Sequence, residues 1–206
     1  MDERTRRFAR AHASLTTVAV TGTNGKTTTT SMIEAIVAAS GEPAARLTTL
    51  GAWVAGEPVI ANDKADEFLR TVETAVEKGV RTLALETTSK ALVYGIARRW
   101  PARVAVFTNL SRDHLEAHGS AEAYLAAKAQ LFMALPRDGA AILNADDPSA
   151  ALIAEVLPAS VQPLWFSRVR RDVDLATTEI VATAAGTEIS LAPSALADAL
   201  GGTLSL

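Results

Sequence analysis

Short apolar runs alternate with helical patterns along most of the chain. The runs are rich in Val, Ala and Leu, have the length of buried strands, and cover residues 17–20, 82–85, 104–108 and 140–143. Apolar residues at helical spacing lie between them, over residues 27–40, 68–76 and 121–135. In the first of these helices the shared apolar face consists of Met32, Ile33, Ile36 and Val37. Strands that alternate with helices in this way predict an α/β fold, with a mostly parallel sheet flanked by helices.

The two ends of the chain depart from this alternation. Arginines dominate residues 1–14 with no apolar segment behind them, which predicts a short solvated helix leading into the fold. Near the other end, Asp147 and Pro148 suit the start of a helix that runs to about residue 157. The segments after it that look like strands of a small antiparallel extension are residues 175–182 and 187–191. We therefore expect one domain over residues 15–206.

The composition excludes several classes of protein. The 206 residues carry a net charge of -3, so no overall basic field attracts nucleic acid or an anionic membrane, and we expect neither as a partner. The absence of cysteine excludes disulfides, thiolate metal sites and cysteine nucleophiles, and it is compatible with a reducing cytoplasm. No apolar run approaches the roughly 18 to 20 residues of a membrane-spanning helix. Because the chain has no overall basic field, any anionic ligand must be held by local groups.

A candidate phosphate-binding loop lies between the first predicted strand and the helix that follows. It reads Thr-Gly-Thr-Asn-Gly-Lys-Thr-Thr over residues 21–28. Glycines let such a loop turn tightly and direct backbone amides at phosphate oxygens, and the helix N-terminus adds positive charge. The residues expected to hold a nucleotide in this way are Gly22, Thr23, Asn24, Gly25, Lys26, Thr27 and Thr28.

Two side chains of this loop have predicted roles of their own. Lys26 should neutralise the β- and γ-phosphates, and Thr27 is placed to put its hydroxyl on Mg²⁺. Val20 stands where the usual first glycine of the motif falls, so the loop is a variant. The alternative interpretation is a Gly/Asn turn followed by a threonine-rich helix cap.

Polar clusters also follow the other three predicted strands, at residues 86–89, 109–114 and 144–147. Because ligands of parallel sheets bind beyond the carboxyl ends of the strands, we expect these clusters to meet the phosphate loop along one edge. Glu86 leaves a buried strand, where an unpaired carboxylate is costly, and is either a Mg²⁺ ligand or a helix-capping residue. His114 is either a ligand or phosphate contact at this edge, or an ordinary surface or core histidine.

Lys128 interrupts the apolar stripe of the last predicted helix. Helical spacing puts this lysine in the middle of a stripe that consists of Tyr124, Leu125, Leu131, Phe132 and Leu135. One interpretation is that its side chain extends along the stripe to solvent. The other is that the amine points into the active site, close to metal.

Together these motifs resemble the central ATPase domain of the Mur ligases, most closely the MurE-like enzymes that extend UDP-MurNAc-dipeptide. The matching segments are residues 21–28, 86–92, 107–119, 124–132 and 143–148. The resemblance implies a ligase in which the carboxylate of an acid attacks the γ-phosphate of ATP, and an amine converts the acyl phosphate to an amide. The acid would be similar to UDP-MurNAc-peptide, the amine an amino acid, and the setting cytoplasmic peptidoglycan precursor synthesis.

The resemblance also implies a role for each matching residue. Lys26 and the loop amides would bind the phosphates. Thr27 and Glu86 would bind Mg²⁺, and His114 would support a second Mg²⁺. Asn144 would meet the adenine. Lys128 matches the lysine that is carbamylated in these enzymes, and a carbamate is an anion suited to a place beside two metal ions.

The resemblance also implies further domains, and the sequence departs from the family pattern at two places. The resemblance implies a UDP-binding N-terminal domain and a C-terminal ligase domain outside residues 15–206, the latter in the same chain or in a partner. The central domain would then be truncated at its C-terminal end. Lys90 stands where MurE-like sequences usually have histidine. Residues 61–64 stand where a paired-threonine motif would contact the UDP-linked substrate.

Two other functions compete with that of a ligase. A non-catalytic ATP-binding module would bind ATP and regulate a partner without acid-dependent phosphate release. A GTPase would use the same type of loop, but the chain has no Asn-Lys-x-Asp guanine signature, and Glu86 replaces the aspartate usual after the second strand.

Overall fold

The computed structural model describes residues 3–111 and 119–205. Its helices are α1 (Glu3–Ser14), α2 (Lys26–Ala39), α3 (Lys64–Glu77), α4 (Ser89–Val93), α5 (Ile96–Arg99), α6 (Ala121–Met133), α7 (Ser149–Ala154) and α8 (Ala195–Ala199). Its strands are β1 (Thr16–Thr21), β2 (Ala44–Thr48), β3 (Gly51–Val54), β4 (Glu57–Pro58), β5 (Thr82–Glu86), β6 (Val104–Phe107), β7 (Ala140–Asn144), β8 (Pro163–Ser167), β9 (Leu175–Thr183), β10 (Gly186–Leu191) and β11 (Thr203–Ser205).

The described strands form one sheet in the order β11-β10-β9-β8-β7-β6-β1-β5-β2-β3-β4. Its central part, from β8 to β2, is parallel throughout, with β1 between β5 and β6. The four buried strands predicted from apolar runs are β1, β5, β6 and β7 of this parallel core, so the predicted fold class is confirmed. At their carboxyl ends, Val20 pairs with Glu86 and Thr21 with Phe107. The polar segments that follow these strands therefore start side by side at one edge.

Antiparallel strands extend the sheet on both sides. β9 pairs in parallel with β8, and β9, β10 and β11 pair antiparallel with one another to form the predicted C-terminal extension, with Ile189 opposite Ile180. On the other side β2, β3 and β4 form a meander that the sequence did not reveal. Arg46 in the middle of β2 interrupts the apolar pattern by which a buried strand is recognised. Its guanidinium instead lies over the Trp53 ring, 4.1 Å from the ring centroid, so the charge is placed on an aromatic face.

The face that α2 turns to the sheet differs from the one its apolar residues predicted. Ile36 is 60% exposed and Met32 is 38% exposed, so these two members of the apolar face are not buried against the sheet. Thr30 is fully buried instead. The Ser31 hydroxyl on the same helix accepts a hydrogen bond from the Arg46 guanidinium on β2. Because α2 continues directly from the loop after β1, the loop sets its rotation and turns small polar side chains to the sheet.

One face of α1 packs on the domain. The Phe8 ring lies edge-on to Trp100, with centroids 4.9 Å apart, and 6.2 Å from Phe68 of α3. Ala11 is buried beside this aromatic cluster. The prediction of a solvated helix is therefore wrong for this face. The opposite face is exposed and carries Arg6, Arg7 and Arg10.

The other helix predictions are confirmed with small shifts of their ends. α6 ends at Met133, two residues before the predicted 135. α7 ends at Ala154, about one turn before the predicted end near residue 157. None of the helices in the described parts of the chain is long and apolar enough to cross a membrane.

Candidate functional site

The loop between β1 and α2 has a backbone that requires two of its glycines. Gly25 caps α2 in the left-handed region, with a φ of 81°. Gly22 has a φ of 152°, and a Cβ added there would lie 1.9 Å from the Thr108 hydroxyl oxygen. A residue with a side chain would therefore be strained at both positions. The glycines of the predicted phosphate loop serve the tight turn and the close approach of a neighbouring strand end.

Several hydrogen bonds tie the loop to the segment after β6. The Thr23 amide donates to the Asn109 carbonyl at 2.8 Å, and the Asn24 amide donates to the Asn109 side-chain oxygen at 3.0 Å. The Thr108 hydroxyl donates to the Asn24 carbonyl at 2.7 Å, and the Ser111 amide donates to the Thr23 hydroxyl at 3.0 Å. The two polar clusters that the sequence placed at strand ends thus support each other.

These bonds also decide which amides can face an anion. The amides of Thr23 and Asn24 already donate to Asn109. The first hydrogen bond of α2 runs from the Thr29 amide to the Gly25 carbonyl at 2.9 Å. Amides that precede this bond belong to the first helical turn, where helices leave N–H groups without helical partners. The amides best placed for phosphate oxygens are those of Lys26, Thr27 and Thr28.

Lys26 begins α2 and is half-buried. Its ammonium donates a hydrogen bond to the Thr23 carbonyl at 2.7 Å, so the side chain folds back over the loop. This position places a positive charge over the turn in which the loop amides lie. A phosphate bound at the start of α2 would therefore meet a cation and the positive end of a helix together.

Glu86 ends β5 with a buried side chain, and its carboxylate links two neighbouring segments. One oxygen, Oε2, accepts from the Thr27 hydroxyl at 2.8 Å, from the Thr49 amide at 3.0 Å and from the Thr49 hydroxyl at 3.2 Å. Glu86 does not cap the following helix, because α4 is capped by the Thr88 hydroxyl, which accepts from the Ala91 amide at 3.2 Å. The helix-capping interpretation of Glu86 is therefore wrong.

The oxygen atoms around Glu86 fit a hard cation. Mg²⁺ prefers carboxylate and hydroxyl oxygens with water completing its shell, and Glu86 and Thr27 offer one of each within 2.8 Å of one another. Within residues 3–111 and 119–205, no group of three His, Cys, Asp or Glu side chains could hold a metal by itself. A cation here would thus depend on water or on phosphate oxygens of a bound nucleotide.

Lys128 of α6 is buried, with 1% of its surface exposed. Its amine donates a hydrogen bond to the Gly22 carbonyl at 2.7 Å and lies 4.1 Å from the centroid of the Tyr124 ring. The interpretation in which this side chain reaches solvent is therefore wrong. Burial, and secondly the charge of Lys26, lower the pKa of Lys128 from 10.5 to about 7. Near neutral pH this lysine carries a neutral amine in part of the molecules.

The segment after β7 supports the same edge from the other side. The Asn144 amide donates to the Thr108 carbonyl at 2.7 Å. The Asp147 carboxylate accepts from the Leu110 amide at 2.6 Å and from the Ser149 amide at the start of α7 at 2.8 Å. Asp147 therefore fixes the loop that in turn holds the phosphate loop.

The structure thus brings together most of the residues that the sequence singled out. Those it places at this edge are the loop from Gly22 to Thr28 with Lys26 and Thr27, then Glu86, Lys128 and Asn144. His114 lies outside the described residues. Sequence reasoning missed Thr49 and the linking roles of Asn109 and Asp147. A threonine pair at the end of a strand was the available signal for Thr49, but that strand was itself not recognised.

A parallel sheet with a phosphate loop at its central strand, beside a buried carboxylate at the next strand end, is the arrangement of a P-loop α/β domain. Comparison with known proteins narrows this class. Residues 20–199 match the family model described as the Mur ligase middle domain. The chain belongs to this family.

Individual relatives agree with this assignment. The UDP-N-acetylmuramoyl-L-alanyl-D-glutamate--2,6-diaminopimelate ligase of Synechococcus elongatus is 38% identical over 170 residues, which cover 81% of this chain and 34% of that protein. The ligase of the same name from Geobacillus kaustophilus is 36% identical over 188 residues, 87% of this chain and 38% of that protein. A solved structure of a ligase of this name superimposes with a TM-score of 0.79 at 28% identity, covering 98% of this chain and 41% of that one. The chain spans about a third of the length of these curated relatives.

Proposed function

We propose that this chain is the nucleotide-binding and phosphoryl-transfer domain of an ATP-dependent ligase that joins a carboxylic acid to an amine. The observation that carries the proposal is the convergence of Lys26, Thr27, Glu86 and Lys128 around one phosphate loop. The relatives are named as ligases that join a glutamyl acid to the amine 2,6-diaminopimelate, and these names support the same reaction. The relatives' names also contain a UDP-linked muramoyl dipeptide, which would place the reaction in cytoplasmic peptidoglycan precursor synthesis.

The reaction proceeds in two steps. An oxygen of the acid's carboxylate attacks the γ-phosphorus of ATP, the bond from that phosphorus to the bridging oxygen breaks, and ADP leaves. The amine nitrogen then attacks the carbonyl carbon of the acyl phosphate, the bond from that carbon to the phosphate oxygen breaks, and the nitrogen loses a proton, which leaves the amide and free phosphate. Negative charge develops on the transferred phosphoryl group, and positive groups fixed around it lower the barrier.

Residues of this chain would carry out the protein's part. Lys26 and the amides at the start of α2 bind the β- and γ-phosphates. Thr27 and Glu86 bind Mg²⁺, which would neutralise phosphate charge. Asn144, after β7, is our candidate for contact with the adenine, and His114 for support of a second Mg²⁺. The Asn144 side-chain nitrogen donates to the Thr108 carbonyl at 2.7 Å and its side-chain oxygen accepts from the Asp146 amide at 3.0 Å, so the side chain is held in place at the end of β7.

Lys128 has a separate role in this proposal. A neutral amine can attack CO₂ and form a carbamate with loss of a proton, and burial lowers the pKa of Lys128 into the range where neutral amine exists. The carbamate would replace a cation by an anion next to the phosphate loop, where it could balance bound metal ions. The hydrogen bond to the Gly22 carbonyl supports this role, because it places the amine directly against the loop.

The amine substrate would be an amino acid held by a C-terminal ligase domain, in the same chain or in a partner, and a UDP-binding N-terminal domain would complete the enzyme. The test incubates the protein that contains this chain together with these two domains, and supplies Mg-ATP, candidate acids and hydroxylamine as a small amine. Hydroxamate and ADP should form in equal amounts and only with an acid present. A protein that binds Mg-ATP but releases no ADP in response to any acid and amine would instead be the non-catalytic nucleotide-binding module.

Replacing Glu86 by Gln tests the metal assignment. The amide keeps the size of the side chain but loses the charge that a Mg²⁺ ligand needs. We expect the gain in nucleotide affinity on adding Mg²⁺ to fall about 10-fold or more, as for loss of a charged ligand contact. Calorimetric titrations of ATP with and without Mg²⁺ measure this gain. Glu57→Gln, at an exposed carboxylate paired with Lys78, is the matched control and should behave as wild type. An unchanged Mg²⁺ effect in Glu86→Gln would leave Glu86 a structural residue.

A further inference from the structure

The turn between β2 and β3 brings a further residue to the phosphate site. β2 pairs with β5 in parallel, with Leu47 opposite Leu85, so the segments that follow the two strands leave the sheet side by side. Thr49 belongs to this turn and is exposed, whereas Glu86 at the end of β5 is buried. The turn thus places an exposed threonine against a buried carboxylate, to which it donates two hydrogen bonds.

The backbone of this turn is held by the preceding threonine. The Thr48 hydroxyl accepts from the Leu50 amide and donates to the Gly51 carbonyl, each at 3.2 Å. Thr48 is itself buried, so these two bonds are protected from water. Gly51 has a φ of 140°, which a residue with a side chain rarely adopts. The turn is therefore fixed before any ligand binds, and it directs the amide and the hydroxyl of Thr49 to the same place.

That place is a single oxygen of the Glu86 carboxylate. Oε2 accepts from the Thr49 amide at 3.0 Å and from the Thr49 hydroxyl at 3.2 Å. Donors directed at a buried carboxylate offset part of the cost of its desolvation, and they also fix the rotation of the side chain. With Oε2 held in this way, Oε1 is the oxygen that the side chain can turn to a cation.

The third donor to Oε2 cannot replace Thr49. The Thr27 hydroxyl donates to this oxygen at 2.8 Å, but in the proposed function the same hydroxyl oxygen also binds Mg²⁺. Its position would then follow the cation. Thr49 belongs to a separate turn that the cation does not reach through Thr27, so its donors can hold Glu86 both with and without metal. Carboxylates that bind metals are commonly held by such outer hydrogen bonds.

We propose that Thr49 is a positioning residue of this ligase, which holds the Glu86 carboxylate in the orientation that binds the Mg²⁺ of Mg-ATP. The inference rests on the proposed function and adds to it a residue that acts through Glu86. The backbone amide of Thr49 is available in any residue except proline. The hydroxyl is the part that depends on residue type, and serine can supply it as well as threonine.

Two variants separate the Thr49 hydroxyl from the shape of the turn. Thr49→Val removes the hydroxyl and keeps the branched side chain and the amide, whereas Thr49→Ser keeps the hydroxyl. ATP is titrated calorimetrically into each full-length protein, in chelator and with Mg²⁺. In Thr49→Val the gain in ATP affinity on adding Mg²⁺ should fall about 5-fold, while affinity in chelator stays within twofold. Loss of an outer hydrogen bond to a metal ligand typically costs roughly 10- to 100-fold, and the effect here is smaller because the amide bond remains.

The controls are the serine variant and a distant threonine. Thr49→Ser should keep the Mg²⁺ gain within twofold of wild type. Thr183→Val removes an exposed hydroxyl of β9 that donates to the Gly186 carbonyl, and it should behave as wild type. An unchanged gain in Thr49→Val, or an equal loss in Thr49→Val and Thr49→Ser, would overturn the proposal. So would a loss of ATP affinity in chelator, because Thr49 would then support the fold of the site rather than the metal.

Combining Thr49→Val with Glu86→Gln shows whether Thr49 acts through Glu86. Since Gln has no charged oxygen for the hydroxyl to hold, Thr49→Val should change the Mg²⁺ gain less than twofold in the Glu86→Gln background. The full 5-fold loss in that background would mean that Thr49 acts on its own, contrary to the proposal. The same titrations test the proposed function separately, because wild-type protein whose ATP affinity does not respond to Mg²⁺ would overturn the metal site together with the role of Thr49.

Discussion

Lys26→Ala is expected to weaken the binding of Mg-ATP about 100-fold or more. Hydrogen bonds from a charged donor are each worth about 1.5–3 kcal/mol, and the Lys26 ammonium is placed to reach both the β- and γ-phosphates. In the structure this ammonium lies over the loop at 2.7 Å from the Thr23 carbonyl, so the loop already holds the cation in place. Calorimetric titration of the variant and of wild type with Mg-ATP measures the loss.

The control for this prediction is another lysine. Lys78→Ala removes a surface lysine whose partner is the exposed Glu57 carboxylate, and it should leave ATP affinity unchanged. AMP provides a second control, since it lacks the β- and γ-phosphates and its affinity should hardly differ between Lys26→Ala and wild type. Equal affinity of Lys26→Ala and wild type for Mg-ATP would mean that the loop is only a turn with a threonine-rich helix cap.

The sequence predicted those elements whose local residue pattern matches their position in the folded domain. The runs that became β1, β5 and β6 are buried at most of their positions in the middle of the sheet, and β7 alternates between buried and partly buried positions, so all four runs are largely apolar and easy to recognise. The phosphate loop was predicted because Gly22 and Gly25 serve a local backbone geometry. These features depend on few residues that are close in sequence, which is why a single sequence reveals them.

Features that depend on distant residues were missed or misjudged. Thr49 follows an edge-side strand with an arginine in its centre, and only the neighbouring β5 brings it to Glu86, 37 residues away. Ile36 is apolar at a helical position that the phosphate loop rotates away from the sheet. The order of strands decides both outcomes, and periodicity within one element carries no information about that order.

For Lys128, helical spacing alone does not predict the surroundings of the side chain. Its place in an apolar stripe left two interpretations open, and only the contact with Gly22, 106 residues earlier in the chain, separates them. The partner is a backbone carbonyl, which no residue type marks in a sequence. Its burial follows from the packing of α6 between the sheet and neighbouring helices.

The buried amine of Lys128 should make the free energy of unfolding depend on pH. The pKa of Lys128 is lowered to about 7 in the folded chain, mainly by burial, from 10.5. Between these two values the unfolded chain binds one more proton at this residue than the folded chain, so the free energy of unfolding rises with pH across that window. The slope from this residue is about 1.4 kcal/mol per pH unit, and the folded chain bears the full cost of the buried charge below pH 7.

Lys128→Met isolates this contribution, because the variant keeps a long side chain in the stripe and has no titrating amine. In chelator, without nucleotide and in carbonate-free buffer, the free energy of unfolding of wild type should gain about 2 kcal/mol relative to Lys128→Met between pH 7 and 9. Urea unfolding at each pH gives the difference, and Lys78→Met controls for the loss of one lysine.

Adding ¹³C-bicarbonate should then produce a carbamate resonance in wild type that is absent from Lys128→Met and grows as pH rises through 7, as the neutral amine becomes available. Parallel stability curves for wild type and Lys128→Met, with no carbamate signal, would make Lys128 a permanently charged structural residue.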